Sequence, residues 1–78
     1  MPRYFFNLYD DMTVIDEEGV KLPDFEAARR KAIGDARDMA CTEVLEGRLK
    51  LRHRIEVADE SGGVLLTVLF RDVVEVKE

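Results

Sequence analysis

The stretch Val64–Phe70, reading VLLTVLF, constrains this chain more than any other. Drawn as a strand, it puts Val64, Leu66, Val68 and Phe70 on one side and Leu65, Thr67 and Leu69 on the other. Both sides are apolar. The rest of the chain holds one convincing helix, and one helix covers one face of a small sheet. The second face then needs another cover, or it stays an exposed apolar patch of the kind that marks an interface. The pattern points toward binding, to a second copy of the chain or to another protein.

At 78 residues the chain is one domain, 1–78, close to the size at which a single core is marginal without staples or oligomerisation. Its 46% hydrophobic content is too high for a disordered segment. The net charge of −5 disfavours a general nucleic-acid coat or an anionic membrane surface. Cys41 is the only cysteine, so no intrachain disulfide forms, which fits a reducing compartment. The opening MPRYFFNLYDD reaches its acids before any long apolar core, unlike a signal peptide. The apolar run Val64–Phe70 is far short of the ~20 residues of a membrane helix. By elimination the expected location is the cytoplasm, with no membrane partner.

Tyr4–Tyr9 is aromatic-rich and extended in character, with Tyr4, Phe6 and Leu8 on one face and Phe5, Asn7 and Tyr9 on the other. Met12–Asp16 reads as a returning strand after the Asp10–Asp11 turn. Gly19 closes a turn or bulge at Glu17–Gly19, and Val20–Leu22 extends to Pro23, which turns Leu22 away from helix. Asp24 caps a helix that runs to Glu46, with Gly47 as the left-handed stop. Its apolar stripe is Phe25, Ala28, Ala32, Ala36, Met39 and Ala40, flanked by Ile33 and Val44, with Gly34 on the outer side. The period then changes to two: Leu49, Leu51, His53, Ile55 and Val57 alternate with Arg48, Lys50, Arg52, Arg54 and Glu56. Part of this run reads as loop, and Arg54–Asp59 as a strand. Asp59–Gly63 is a hairpin turn, VLLTVLF returns, and Val73–Val76 extends or kinks that last strand.

The acids Asp10, Asp11, Asp16, Glu17 and Glu18 lack the spacing of a calcium loop and read as solvated turns, so no metal is expected. Cys41 and His53 are the residue types of a nucleophile and base, but no third group or oxyanion loop accompanies them, and Cys41 falls ~140° from the centre of the apolar stripe. One histidine and one cysteine make no closed zinc site. Ser61 sits in a turn, and neither Gly19 nor Gly62–Gly63 precedes a helix with a lysine as a phosphate loop would. No catalytic residue and no cofactor is expected. The basic residues Arg48, Lys50, Arg52 and Arg54 would stand ~7 Å apart along one face of a strand, roughly the spacing of a nucleic-acid backbone, and the aromatic YFFNLY could stack bases. Against that stand the acidic balance of the chain and the lack of an RNA-binding signature; a charged edge, or a stripe for another subunit's acids, is the simpler reading. Phe5, Tyr9, Leu65 and Leu69 are the residues of the uncovered face. Exposing the phenylalanine and leucines would forgo ~1.5–3 kcal/mol each.

The segments PRYFFNLYD, DEEGVKLPDFEAAR, RIEVADESGGVLLTVLF and DVVEV, with the alanine-rich helix between them, resemble a family of short bacterial proteins of unknown function, frequent in alphaproteobacteria. The resemblance covers nearly the whole chain and implies no activity. The DEEG…LPD…EA arrangement is also similar to that of HicB-like antitoxins, where a hairpin and a short extended segment lead into a helix. The glycine-cysteine segment that follows LPD in those antitoxins is missing here.

These readings predict an α+β domain of order β-β-α-β-β: a four-stranded, mainly antiparallel sheet with one long helix across one face, and its first and last strands central. The expected function is that of a non-catalytic interaction or regulatory module that pairs with itself, as a homodimer, through the helix-free face. The alternatives are an antitoxin-like or RNA-binding regulator using Arg48–Arg54 and, last, an enzyme.

Overall fold

Strand β1, Arg3–Tyr9, is the spine of the sheet in the computed structural model, which describes residues 1–77. On one side it pairs antiparallel with β4, Arg54–Ala58, and β4 pairs antiparallel with β5, Val64–Leu69. On its other side lie two short segments, β2 at Thr13–Val14 and β3 at Val20–Lys21, both antiparallel to it. The expected returning strand Met12–Asp16 is thus shortened to Thr13–Val14, and the extended segment at Val20–Leu22 pairs with β1 as a strand of its own, giving five strand segments rather than four. The order is β2-β1-β4-β5, with β3 also on β1.

Asp16 fills the gap between β2 and β3. Its carboxylate accepts from the Phe6 N–H at 3.1 Å, standing in for the strand backbone that is missing between β2 and β3. Its other oxygen accepts from the N–H groups of Glu18 and Gly19. Gly19 takes φ +70, and a Cβ there would meet Arg3 Cγ at 2.8 Å and Phe5 Cε1 and the Tyr4 carbonyl at 2.9 Å. Only glycine lets the chain turn this close to β1.

Helix α1 spans Phe25–Leu45, and the Asp24 side chain accepts from Ala27 N–H at 2.9 Å, as its cap position predicts. Ala28, Ala32, Ala36 and Ala40 are buried; their small side chains let the helix axis lie close to the sheet. Phe25 and Val44, expected in or beside that stripe, are instead exposed, at the two ends of the helix. Gly47 has φ 88 just past the helix, as a left-handed stop requires.

The sheet contributes Tyr4, Ile55, Val57 and Val68 to the core, closed at one end by Phe70 and Val73 of a short helix α2, Phe70–Val73. Alternation makes Phe70 the last member of the β5 inner face. It is instead the first residue of α2, although its N–H still reaches the His53 carbonyl at 2.8 Å and so continues the ladder. At the other end of β5 a bulge shifts the register, pairing Ala58 with Val64 and Val57 with Leu66. Strict alternation fails there, and Val64 is 56% exposed instead of packing inward with Leu66 and Val68.

The expectation that the last strand is central is also overturned. β2 and β3 occupy the far side of β1, α1 returns β4 to its near side, and the tight Asp59–Gly63 hairpin then leaves β5 only the outer edge. Apolar content did not decide position; connectivity did. No helix among the described residues is long and apolar enough to cross a membrane.

Candidate interaction surface

Phe5 and Tyr9 both lie on the helix-free face of β1, but neither is left bare. The Gly19 turn crosses the Phe5 ring, which is half-buried. The Arg54 guanidinium lies 4.4 Å from the centroid of the Tyr9 ring, held there by pairing between β1 and β4 that places Tyr9 opposite Arg54. Between these two rings runs a polar row, Asn7, Glu56 and Thr67, adjacent on three strands. Asn7 Oδ1 accepts from Asp16 N–H, and Glu56 pairs with Arg54 at 3.2 Å. Part of the cover that the sequence lacked is therefore supplied by a loop and an arginine. Leu65 and Leu69 lie at the β5 edge, Leu65 being 44% exposed at the bulge and Leu69 half-buried opposite Arg54.

The basic residues do not form the straight stripe that alternation predicts. Arg48, Lys50 and Arg52 lie in the loop between α1 and β4; Arg54 alone is on a strand. The alternation of residues 48–53 arises in a loop because Lys50 N–H is tied to Glu43 Oε1 at 2.8 Å and His53 N–H to the Lys50 carbonyl, which curl it back on the helix end. Most of these cations already face an acid: Arg48 meets Glu46 at 3.4 Å, Lys50 meets Asp11 at 2.8 Å and Arg54 meets Glu56.

The centre of this charged end is His53, which the alternating pattern marks as inward-facing. It is 6% exposed. Its Nδ1 lies 2.6 Å from Glu43 Oε2; the carboxylate has no proton to give, so Nδ1–H donates. Its Nε2 is 3.6 Å from Asp11 Oδ1, too long for a hydrogen bond but within ion-pair reach when the ring is protonated. Phe70 meets the ring edge-on at 5.6 Å. The hydrogen bond from Lys50, with further attraction from Lys50, His53 and Arg48, holds the Asp11 carboxyl below its ordinary pKa. A cleft of about 230 Å³ opens beside the ring, lined by Asp10, Asp11, Met39, Thr42, Glu43, Glu46 and Arg48.

Cys41 is not brought to His53. It precedes Glu43 by two residues, about 200° around the helix, and is exposed and free. Thr42, in the cleft, donates its hydroxyl to the Asp38 carbonyl, and Ser61 donates to Asp59 in the hairpin turn. The imidazole thus joins the end of α1, the loop and the β1–β2 turn as a strut. Among the described residues no three His, Cys, Asp or Glu side chains are placed to hold a metal ion. The Glu43 partner was missed in the sequence because a contact across ten residues and a loop has no periodic signature; the lone His53 in an apolar register was the readable half.

Residues 3–71 match a family described as a domain of unknown function, DUF6894. No curated protein and no solved structure matches the chain.

Proposed function

The chain belongs to the DUF6894 family, and from that premise we propose that it works as a non-catalytic interaction module that associates with a second copy of itself through the helix-free side of the sheet. The observation carrying this reading is the position of β5: its six uncharged residues form the outer edge, with Val64 and Leu65 exposed. A natural edge strand is usually guarded by charge, proline or a covering loop. A domain this small gains most from covering such a surface. With Phe5 and Tyr9 partly covered by their own chain, the weight of the interface falls on Leu65 and Leu69.

Nucleic-acid binding through Arg48, Lys50, Arg52 and Arg54 is the weaker reading, since a phosphate would have to displace Glu46, Asp11 and Glu56 from three of them. An antitoxin-like role, with a different protein as partner, has no feature of this surface in its favour over a second copy. We place the protein in the cytoplasm because its free Cys41 is exposed, as a reducing compartment permits.

Sedimentation equilibrium across a range of concentrations tests the self-association. The expected result is a concentration-dependent dimer that Leu65→Lys weakens. A single copy persisting up to roughly 0.5 mM would end this reading.

A further inference from the structure

The edge of β5 carries a more specific inference, which rests on the self-association reading above. In an antiparallel ladder alternate residues turn their backbone groups toward the partner strand. Phe70 N–H points to the His53 carbonyl, so Val68 and Leu66 also face β4, and Thr67 turns its N–H and carbonyl to the open edge. Leu69 N–H, of the same parity as Thr67, is taken by the Asp72 carboxylate at 3.1 Å. The free stretch of edge is therefore centred on Thr67.

The side chains around Thr67 are symmetric in character. Leu66 and Val68 flank it on the helix side, Leu65 and Leu69 at two residues' distance. We propose that two copies join their β5 strands antiparallel about a two-fold axis at Thr67, making one continuous sheet. In that register Thr67 opposes Thr67 of the second copy, Leu66 opposes Val68, and Leu65 opposes Leu69. Every opposed pair is uncharged. The whole chain carries −5, so two copies repel each other generally, and this strand is a place where they approach without opposing like charges. Along the same edge a groove of about 280 Å³ runs between Arg29, Ile33 and Arg37 of α1 and the β5 residues around Thr67, with Asp72 and Val73 at its end. The occupant is a second copy because the register is complementary to itself.

The test uses the full chain, with helix and strand content checked by circular dichroism. Thr67→Lys and Thr67→Glu each put like charges face to face across the axis, and each weakens the dimer roughly tenfold or more. Mixed in equal amounts, the two variants oppose unlike charges and recover a heterodimer. Thr67→Pro removes an outward N–H, spares the β4 ladder and also weakens the dimer; if that variant does not fold, the charge pair carries the test. A dimer unmoved by all of these substitutions overturns the edge pairing while leaving self-association through another surface in place. Variants that weaken without recovering on mixing overturn the Thr67 register. A wild-type chain that stays single overturns both this inference and the reading beneath it.

Discussion

Glycines 19 and 34 sit in opposite situations, and substituting each tests a different physical cost. Gly19 combines positive φ with three contacts below 3.0 Å for any added Cβ, two of them to Phe5 and the Tyr4 backbone that cannot swing away easily. Gly19→Ala is expected to destabilise the fold by about 1–3 kcal/mol, read as a lower urea midpoint. Gly34 lies inside α1 with nothing within 4 Å of a built Cβ. Gly34→Ala is expected to stabilise the fold by about 0.5–1 kcal/mol, read as a higher urea midpoint, through lower entropy of the unfolded chain and better helix propensity. The sequence placed Gly34 on the outer side from helical phase alone. The closeness of Gly19 to Arg3 and Phe5 was not legible, because it depends on which strand the turn crosses.

Elements in this fold are tied at their ends as much as along their faces. The Glu43–His53 hydrogen bond links the last turn of α1 to the entry of β4, and Lys50–Asp11 links the same loop to the β1–β2 turn. With both groups of the first pair largely buried, a double-mutant cycle with Glu43→Gln and His53→Gln is expected to show a coupling of about 1–3 kcal/mol in unfolding free energy. Zero coupling would remove His53 from its role as a strut. The helix and its cap were legible because Asp24, the alanine spacing and Gly47 act locally. The strut was not, since it joins groups through a loop whose path no propensity encodes. The apparent basic stripe failed for the same reason: alternation in residues 48–53 is a pattern without a strand beneath it.

The whole molecule's response to acid follows from its carboxylates. For Asp16, burial pushes the pKa up, but the N–H groups of Gly19, Phe6 and Glu18, with Lys31 nearby, more than reverse this and leave it lowered. The hydrogen bond from Arg29 and the adjacent charges bring Glu26 down to about 2, and the Ser61 hydroxyl and the amides of the hairpin turn lower Asp59. A lowered folded value means that the unfolded chain binds protons first as the pH falls. The stability these groups contribute is complete above the ordinary carboxylate range, near pH ~4, and is lost as the pH drops through their folded values. Urea midpoints measured from neutral pH down to about pH 2 are expected to fall in that window. Asp16→Asn, already weaker at neutral pH, is expected to show a shallower fall. Equal slopes for the two proteins would mean that Asp16 does not titrate with unfolding.

What the sequence by itself determined is the class, the long helix with its buried alanine stripe and the strands β1, β4 and β5, because strand alternation, helical phase, capping and turn chemistry act over a few residues. The α+β class, the helix from its Asp24 cap to Gly47, and the final hairpin all follow from that. Tertiary structure alone decided that β5 lies outside rather than inside, that Asp16 replaces a piece of strand, and that an arginine and a glycine turn cover the aromatic rings of β1. Each of these depends on which segments meet in space. Loop paths and chain connectivity settle such meetings, and the local preferences of the residues involved do not encode them.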